Sequence, residues 1–139
     1  MVVADGTGLP IGCHVGSANP FESTLTEKVV NTIRVPRAAR GRPRTKPKRL
    51  IADRAYDSNR LRATLRRRGI ELITPDRPER TTKVQDGRKL RRYKRRWKIE
   101  RVFAWIDSWR RLTIRWDRLF TIYAGFVQLA IMIIVLRRL

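Results

Sequence analysis

Two carboxylates carry the chemistry that this sequence offers. Asp53 abruptly ends the short apolar run of Leu50, Ile51 and Ala52 in LIADRAYDS, and Glu100 is the one acid between Arg88 and Arg101 in a stretch crowded with arginine and lysine. That stretch, RRYKRRWKIERVFAWIDSWRRL at residues 91–112, reads as a single helix. At about 100° per residue, Tyr93, Arg96, Ala104 and Asp107 share one stripe with Glu100. Glu100 can simply neutralise Arg96, four residues before it, in a pair worth only about 0.3–0.5 kcal/mol. Asp53 points the other way, because in α/β sheets chemistry gathers beyond the carboxyl ends of the strands.

The elements that must position these acids follow from the patterning. Residues 1–5 read as a strand, the turn residues Asp5-Gly6-Thr7-Gly8 close a hairpin, and residues 11–17 form its second strand. A strand that begins at residue 1 suggests a sheet continuing upstream. Residues 21–33 carry Leu25, Val29, Val30 and Ile33 at helical spacing, and Pro36 stops that helix. Residues 50–52 read as a buried strand ending at Asp53. Asp57-Ser58-Asn59 resembles a helix N-cap, which makes Asp57 structural; its helix ends at Gly69, and residues 70–74 form another strand before Pro75. This order predicts a mixed α/β sheet covered by helices. The proline-rich basic segment 34–49 reads as an exposed loop, either a solvated linker or a phosphate-contacting arm, and the polar segment 76–92 as a mobile basic connector. In the second half of the long helix, Val102, Phe103, Trp105, Ile106 and Trp109 are apolar nearly all round and predict burial, with the tryptophans as core rather than base-stacking platforms.

The charge balance names a partner class. With 33 Lys plus Arg against 12 Asp plus Glu, the 139-residue chain carries a formal +21. Self-repulsion on that scale favours a polyanion, and nucleic acid is the commonest one. A single cysteine, Cys13, excludes an intramolecular disulfide and reads as an inert strand residue. No secretory signal is visible at the start. Residues 119–136 run without a charge, but Thr121, Gly125 and Gln128 interrupt them, so residues 119–137 are expected as an apolar core helix and no membrane partner is expected.

Taken together, DGTGLPIGCHVGSANP, RLIADRAYDSNRLRATLRRRGIELITP, RYKRRWKIERVFAWIDSWRRLTIRWDR and the closing apolar helix with LRRL resemble the C-terminal catalytic part of DDE-type transposases of bacterial insertion sequences. The likeness is to the insertion-sequence-five type, within the insertion-sequence-four-like superfamily. It implies an RNase H-like fold for residues 1–139, a mixed sheet with flanking helices that is incomplete at its N-terminus because the first catalytic strand is missing. By this resemblance Asp53 is the second acid of a catalytic triad and Glu100 the third, both ligands of Mg²⁺ or Mn²⁺ in a two-metal site acting on a DNA phosphate. The family signature of Tyr, two residues, Arg, three residues, Glu is met by Tyr93, Arg96 and Glu100, while Asp107 stands where the family has lysine. DNA contacts are expected from Tyr93, Arg95, Arg96 and Lys98, and from Arg42, Arg44, Lys46 and Lys48 in the basic loop.

In the family the first acid precedes the segment resembling VVADGTGLP. Asp5 aligns with the hairpin turn after that strand and is not expected to replace it. The chain is therefore expected to be a second reading frame or a remnant, joined to an upstream product, with homo-oligomers and a nucleoid-associated place in a bacterial cytoplasm in keeping with transposition. A non-catalytic basic nucleic-acid-binding protein is the alternative.

Overall fold

The computed structural model describes residues 1–17 and 21–138. Strands β1 (Val2–Ala4) and β2 (Pro10–Cys13) form the expected antiparallel hairpin. Its turn is built by Asp5, whose Oδ1 accepts from the Thr7 amide at 2.8 Å, the Thr7 hydroxyl at 2.7 Å and the Leu9 amide at 2.9 Å. Gly8 closes the turn with φ +88°, a conformation that side chains disfavour. Beyond helix α1 (Glu22–Asn31), strand β3 (Arg49–Ile51) and strand β4 (Glu71–Ile73) pair in parallel through the crossover helix α2 (Asn59–Arg67). Ser58 is the cap of α2, accepting from the Leu61 amide at 3.4 Å. The cap assigned to the Asp57 region therefore belongs to Ser58, and Asp57 does something else.

The chain is mixed α/β, as the patterning predicts. The described strands form two separate two-stranded ribbons, β1-β2 and β3-β4, rather than one sheet. Hydrogen bonds between Met1 and His14 turn Met1 toward β2, so alternation leaves the backbone groups of Val2 and Ala4 on the outer edge of β1. Lys48 and Ala52 bond to β4, which leaves those of Arg49 and Ile51 on the outer edge of β3.

The single helix expected over residues 91–112 is broken. Helix α3 (Gly87–Leu90) passes into a 3₁₀ segment, Arg91–Arg96, then into helix α4 (Trp97–Asp107), and after a break at Ser108 and Trp109 into helix α5 (Arg110–Thr113). The 3₁₀ turn coincides with RRYKRR, where like charges crowd together with no acid inside the segment. At the break Trp109 adopts an extended φ/ψ, while the Ser108 hydroxyl bonds the Trp105 carbonyl at 2.7 Å and the Thr113 hydroxyl bonds the Asp107 carbonyl at 2.8 Å. These side-chain bonds replace helical ones.

The β1-β2 hairpin forms a wall between two apolar clusters. Met1 and Val3 face one, built from α1, α2 and the β3-β4 ribbon around Val30, Ile33, Leu65 and Ile70. Val2, Ala4 and Cys13 face the other, built from α4, α5 and helix α6 (Phe120–Leu136) around Val102, Leu112, Val127 and Ala130. Helix α1 comes so close that a Cβ on Gly12 would lie 2.9 Å from the Thr32 hydroxyl and 3.2 Å from the Val29 carbonyl. Burial in α4 and the break after it is narrower than composition suggests: Val102 and Ile106 are buried and Trp105 and Trp109 half-buried, but Phe103 is exposed. The same holds for α6, where Leu129, Met132 and Leu136 lie open. No helix of the described residues is long and apolar enough to cross a membrane.

Candidate active site

The strand end that carries Asp53 is fixed from two sides. Its Oδ1 accepts from the Arg54 amide at 2.7 Å, capping the 3₁₀ turn Arg54–Tyr56, and its carbonyl accepts from the Thr74 hydroxyl at 2.6 Å at the end of β4. Thr74 is fully buried. Sequence reasoning gave it no role, although a hydroxyl ending the apolar run IELIT needs a partner.

Glu100 lies in the first turn of α4. Between the two acids stand Tyr93 and Arg96 from the 3₁₀ segment. The Tyr93 hydroxyl donates to Asp53 Oδ1 at 2.7 Å. Arg96 Nη1 donates to the same Oδ1 at 3.3 Å and to the Tyr93 oxygen at 2.5 Å, and its Nε lies 2.9 Å from Glu100 Oε1. Its guanidinium also sits 5.2 Å from the Tyr93 ring centre. One guanidinium thus holds both acids, which caps the separation of the bonded oxygens at about 8.5 Å for a fork of this size. The helical stripe places Arg96 beside Glu100, but bringing Asp53 to it is the work of the fold.

Electrostatically the site keeps Asp53 ionised. The Tyr93 hydrogen bond foremost, then the Arg54 amide and the charge of Arg96, hold its carboxyl below the ordinary aspartate value, outweighing the small burial effect. Burial and the bond to Asp53 push the Tyr93 phenol up, so it stays a donor. Both acid side chains remain open to solvent, 60% for Asp53 and 57% for Glu100. They and Arg96 line one end of a cleft of about 550 Å³, whose walls include Val2 and Val3 of β1 and Leu50 and Ile51 of β3.

Oxygen donors of this kind suit a hard divalent cation. Among the described residues, however, no group of three or more His, Cys, Asp or Glu stands close enough to hold one. Asp5 is consumed by its turn, where hydrogen bonds from Thr7 and Leu9 outweigh burial and lower its pKa.

The basic candidates divide by what holds them. Arg42, Arg44 and Lys48 are exposed in the loop, which a bridge between Val35 and Arg44 folds back on itself, and Arg95 is exposed next to Arg96 on the 3₁₀ segment. Lys46 donates to the Arg68 carbonyl at 2.9 Å, near the end of α2. Lys98 donates to the Gly6 carbonyl, and Arg101 to that of Thr7 at 3.4 Å, so both clamp the hairpin turn onto α4. Asp57, fully buried at its side chain, joins Arg62 at 3.0 Å, Arg80 at 3.1 Å and the Arg77 amide at 2.9 Å. The first part of the 76–92 connector, expected to be mobile, is held by this hub and by Asp76, which accepts from Val84 and Gln85.

Residues 1–135 match the family described as Transposase DDE domain. The chain belongs to this transposase family. A Burkholderia cepacia protein assigned as the transposase for insertion sequence element IS402 is 36% identical over 128 residues, 92% of this chain and 57% of that protein. The chain thus spans a little over half the length of this curated relative. No solved structure matches it.

Proposed function

We propose that residues 1–139 form part of an RNase H-like catalytic domain of an insertion-sequence transposase, of the insertion-sequence-five type, that cuts and joins DNA phosphodiester bonds. The observation that carries this reading is that Asp53 and Glu100, from elements distant in the chain, lie within reach of the one Arg96 side chain at a single cleft. Asp53 and Glu100 are the residues that would hold Mg²⁺ or Mn²⁺. Bound there, such ions supply activation of a water or 3′-hydroxyl and stabilisation of the leaving oxygen. The chain's own part is to keep Asp53 ionised through Tyr93 and to grip phosphates with Arg95, Arg96 and the exposed loop residues Arg42, Arg44 and Lys48. A cytoplasmic, nucleoid-associated location goes with this role.

Two acids fall short of a two-metal site, and the third belongs, on this reading, to an extended strand lying between β1 and β3. Support comes from the two outer strand edges, both of which line the cleft. A strand there would pair on both sides and join the ribbons into one mixed sheet.

Purified residues 1–139 should therefore bind duplex DNA without cutting it in Mg²⁺ or Mn²⁺. A longer chain supplying an acid-bearing strand should cut, and Asp53→Asn or Glu100→Gln in it should abolish cutting while leaving DNA bound. Cutting that survives loss of both acids would sink the assignment.

A further inference from the structure

Arg96 stands between the two acids. Its fork meets Asp53 at 3.3 Å and Glu100 at 2.9 Å, so a second positive centre drawn to both carboxylates competes with it for their charge. Leaving is easy, because the Arg96 side chain is 44% exposed and exposed ion pairs bind weakly. Asp53 does not lose its aim when Arg96 goes, since Tyr93 and the Arg54 amide hold the carboxylate independently. The guanidinium also has somewhere to go. Arg92, Lys94 and Arg95 are exposed on the same 3₁₀ turn, and among the described residues no side-chain hydrogen bond or ion pair engages them.

We propose that Arg96 is an exchangeable counter-ion: a divalent cation displaces it from Asp53 and Glu100, and the freed guanidinium joins its neighbours on a DNA phosphate. This rests on the reading that the two acids hold a divalent ion. Metal and DNA then bind cooperatively, each raising the affinity of the other by one common factor. Arginine suits the exchange because its planar fork serves carboxylate and phosphate alike. Arg96 thus acts on the two acids while it pairs with them and on a DNA phosphate once released.

The test compares the wild-type chain with Arg96→Gln, Arg95→Gln and Asp53→Asn, each checked for folding by circular dichroism. Mn²⁺ binding is followed by the paramagnetic resonance of the free ion, with and without a short duplex at constant ionic strength. Arg96→Gln should bind Mn²⁺ alone about three- to tenfold tighter, the loss of one or two exposed ion pairs, and should lose the coupling to DNA. Arg95→Gln, which removes the same charge without touching either acid, should show a smaller rise and keep the coupling. Exchange is overturned if Arg96→Gln binds Mn²⁺ no tighter than Arg95→Gln does, or if its coupling persists. Unchanged Mn²⁺ affinity in Asp53→Asn instead puts the ion elsewhere and removes the metal reading itself.

Discussion

Tyr93 donates its phenolic hydrogen to Asp53 at 2.7 Å, across 40 positions of the chain. This bond is the leading cause of the lowered Asp53 pKa. Tyr93→Phe should therefore raise the Asp53 pKa toward the ordinary aspartate value, read by carbon NMR of the labelled carboxylate. Because Asp53 is exposed, the fold should tolerate the change. An unmoved titration would show that Arg96 and the Arg54 amide alone keep the acid ionised.

Asp57 should matter to stability as Asp53 does not. Its side chain is buried against Arg62 and Arg80, and removing one partner of a buried pair costs about 3–5 kcal/mol, so Asp57→Ala should lower the urea midpoint sharply. Burial pushes the Asp57 pKa up, but the Arg77 amide, the Arg62 hydrogen bond and both arginine charges bring it below the ordinary value. The stability it contributes is then complete above its unfolded pKa, about 3.9, and is lost as pH falls through the lower folded value. Asp57→Asn should flatten that acid limb, and an unchanged acid limb in the variant would contradict the linkage.

DNA affinity should fall steeply with salt, with log K linear in log salt. Each phosphate contact removed should flatten the slope by about 0.9. Arg42→Ala and Arg44→Ala are expected to do this with little effect on folding. Lys98→Ala should instead loosen the hairpin turn, seen as a lower unfolding midpoint, because its ammonium is committed to Gly6. Salt slopes in Arg42→Ala and Arg44→Ala equal to that of the unsubstituted chain would remove the loop from the DNA interface.

Gly12→Ala should destabilise the chain by about 1–3 kcal/mol, since its new Cβ would press on α1 at the Thr32 hydroxyl and the Val29 carbonyl. Pairing it with Thr32→Ala removes the closest clash, and the double variant should recover part of the loss in thermal unfolding.

The sequence by itself determined the features that depend on near neighbours. The hairpin turn follows from Asp5 and Gly8, the parallel β3-α2-β4 unit from its apolar runs and the Ser58 cap, and the closeness of Arg96 to Glu100 from spacing in one helical stretch. Charge pointed to nucleic acid, because net charge needs no fold. What tertiary structure decided are the contacts between parts distant in sequence. Arg96 reaches Asp53 only because α4 packs on β1 and the 3₁₀ turn lies against β3, and no local spacing records that. Asp57 reads as a cap until Arg80 folds back onto it. Lys98 reads from sequence as a phosphate contact, and only the fold brings its ammonium to the Gly6 carbonyl as well. The break at Trp109 and the open face of Phe103 were illegible for a related reason: apolar composition gives the tendency to bury, but which side chains find a partner depends on how α5 and α6 return across α4.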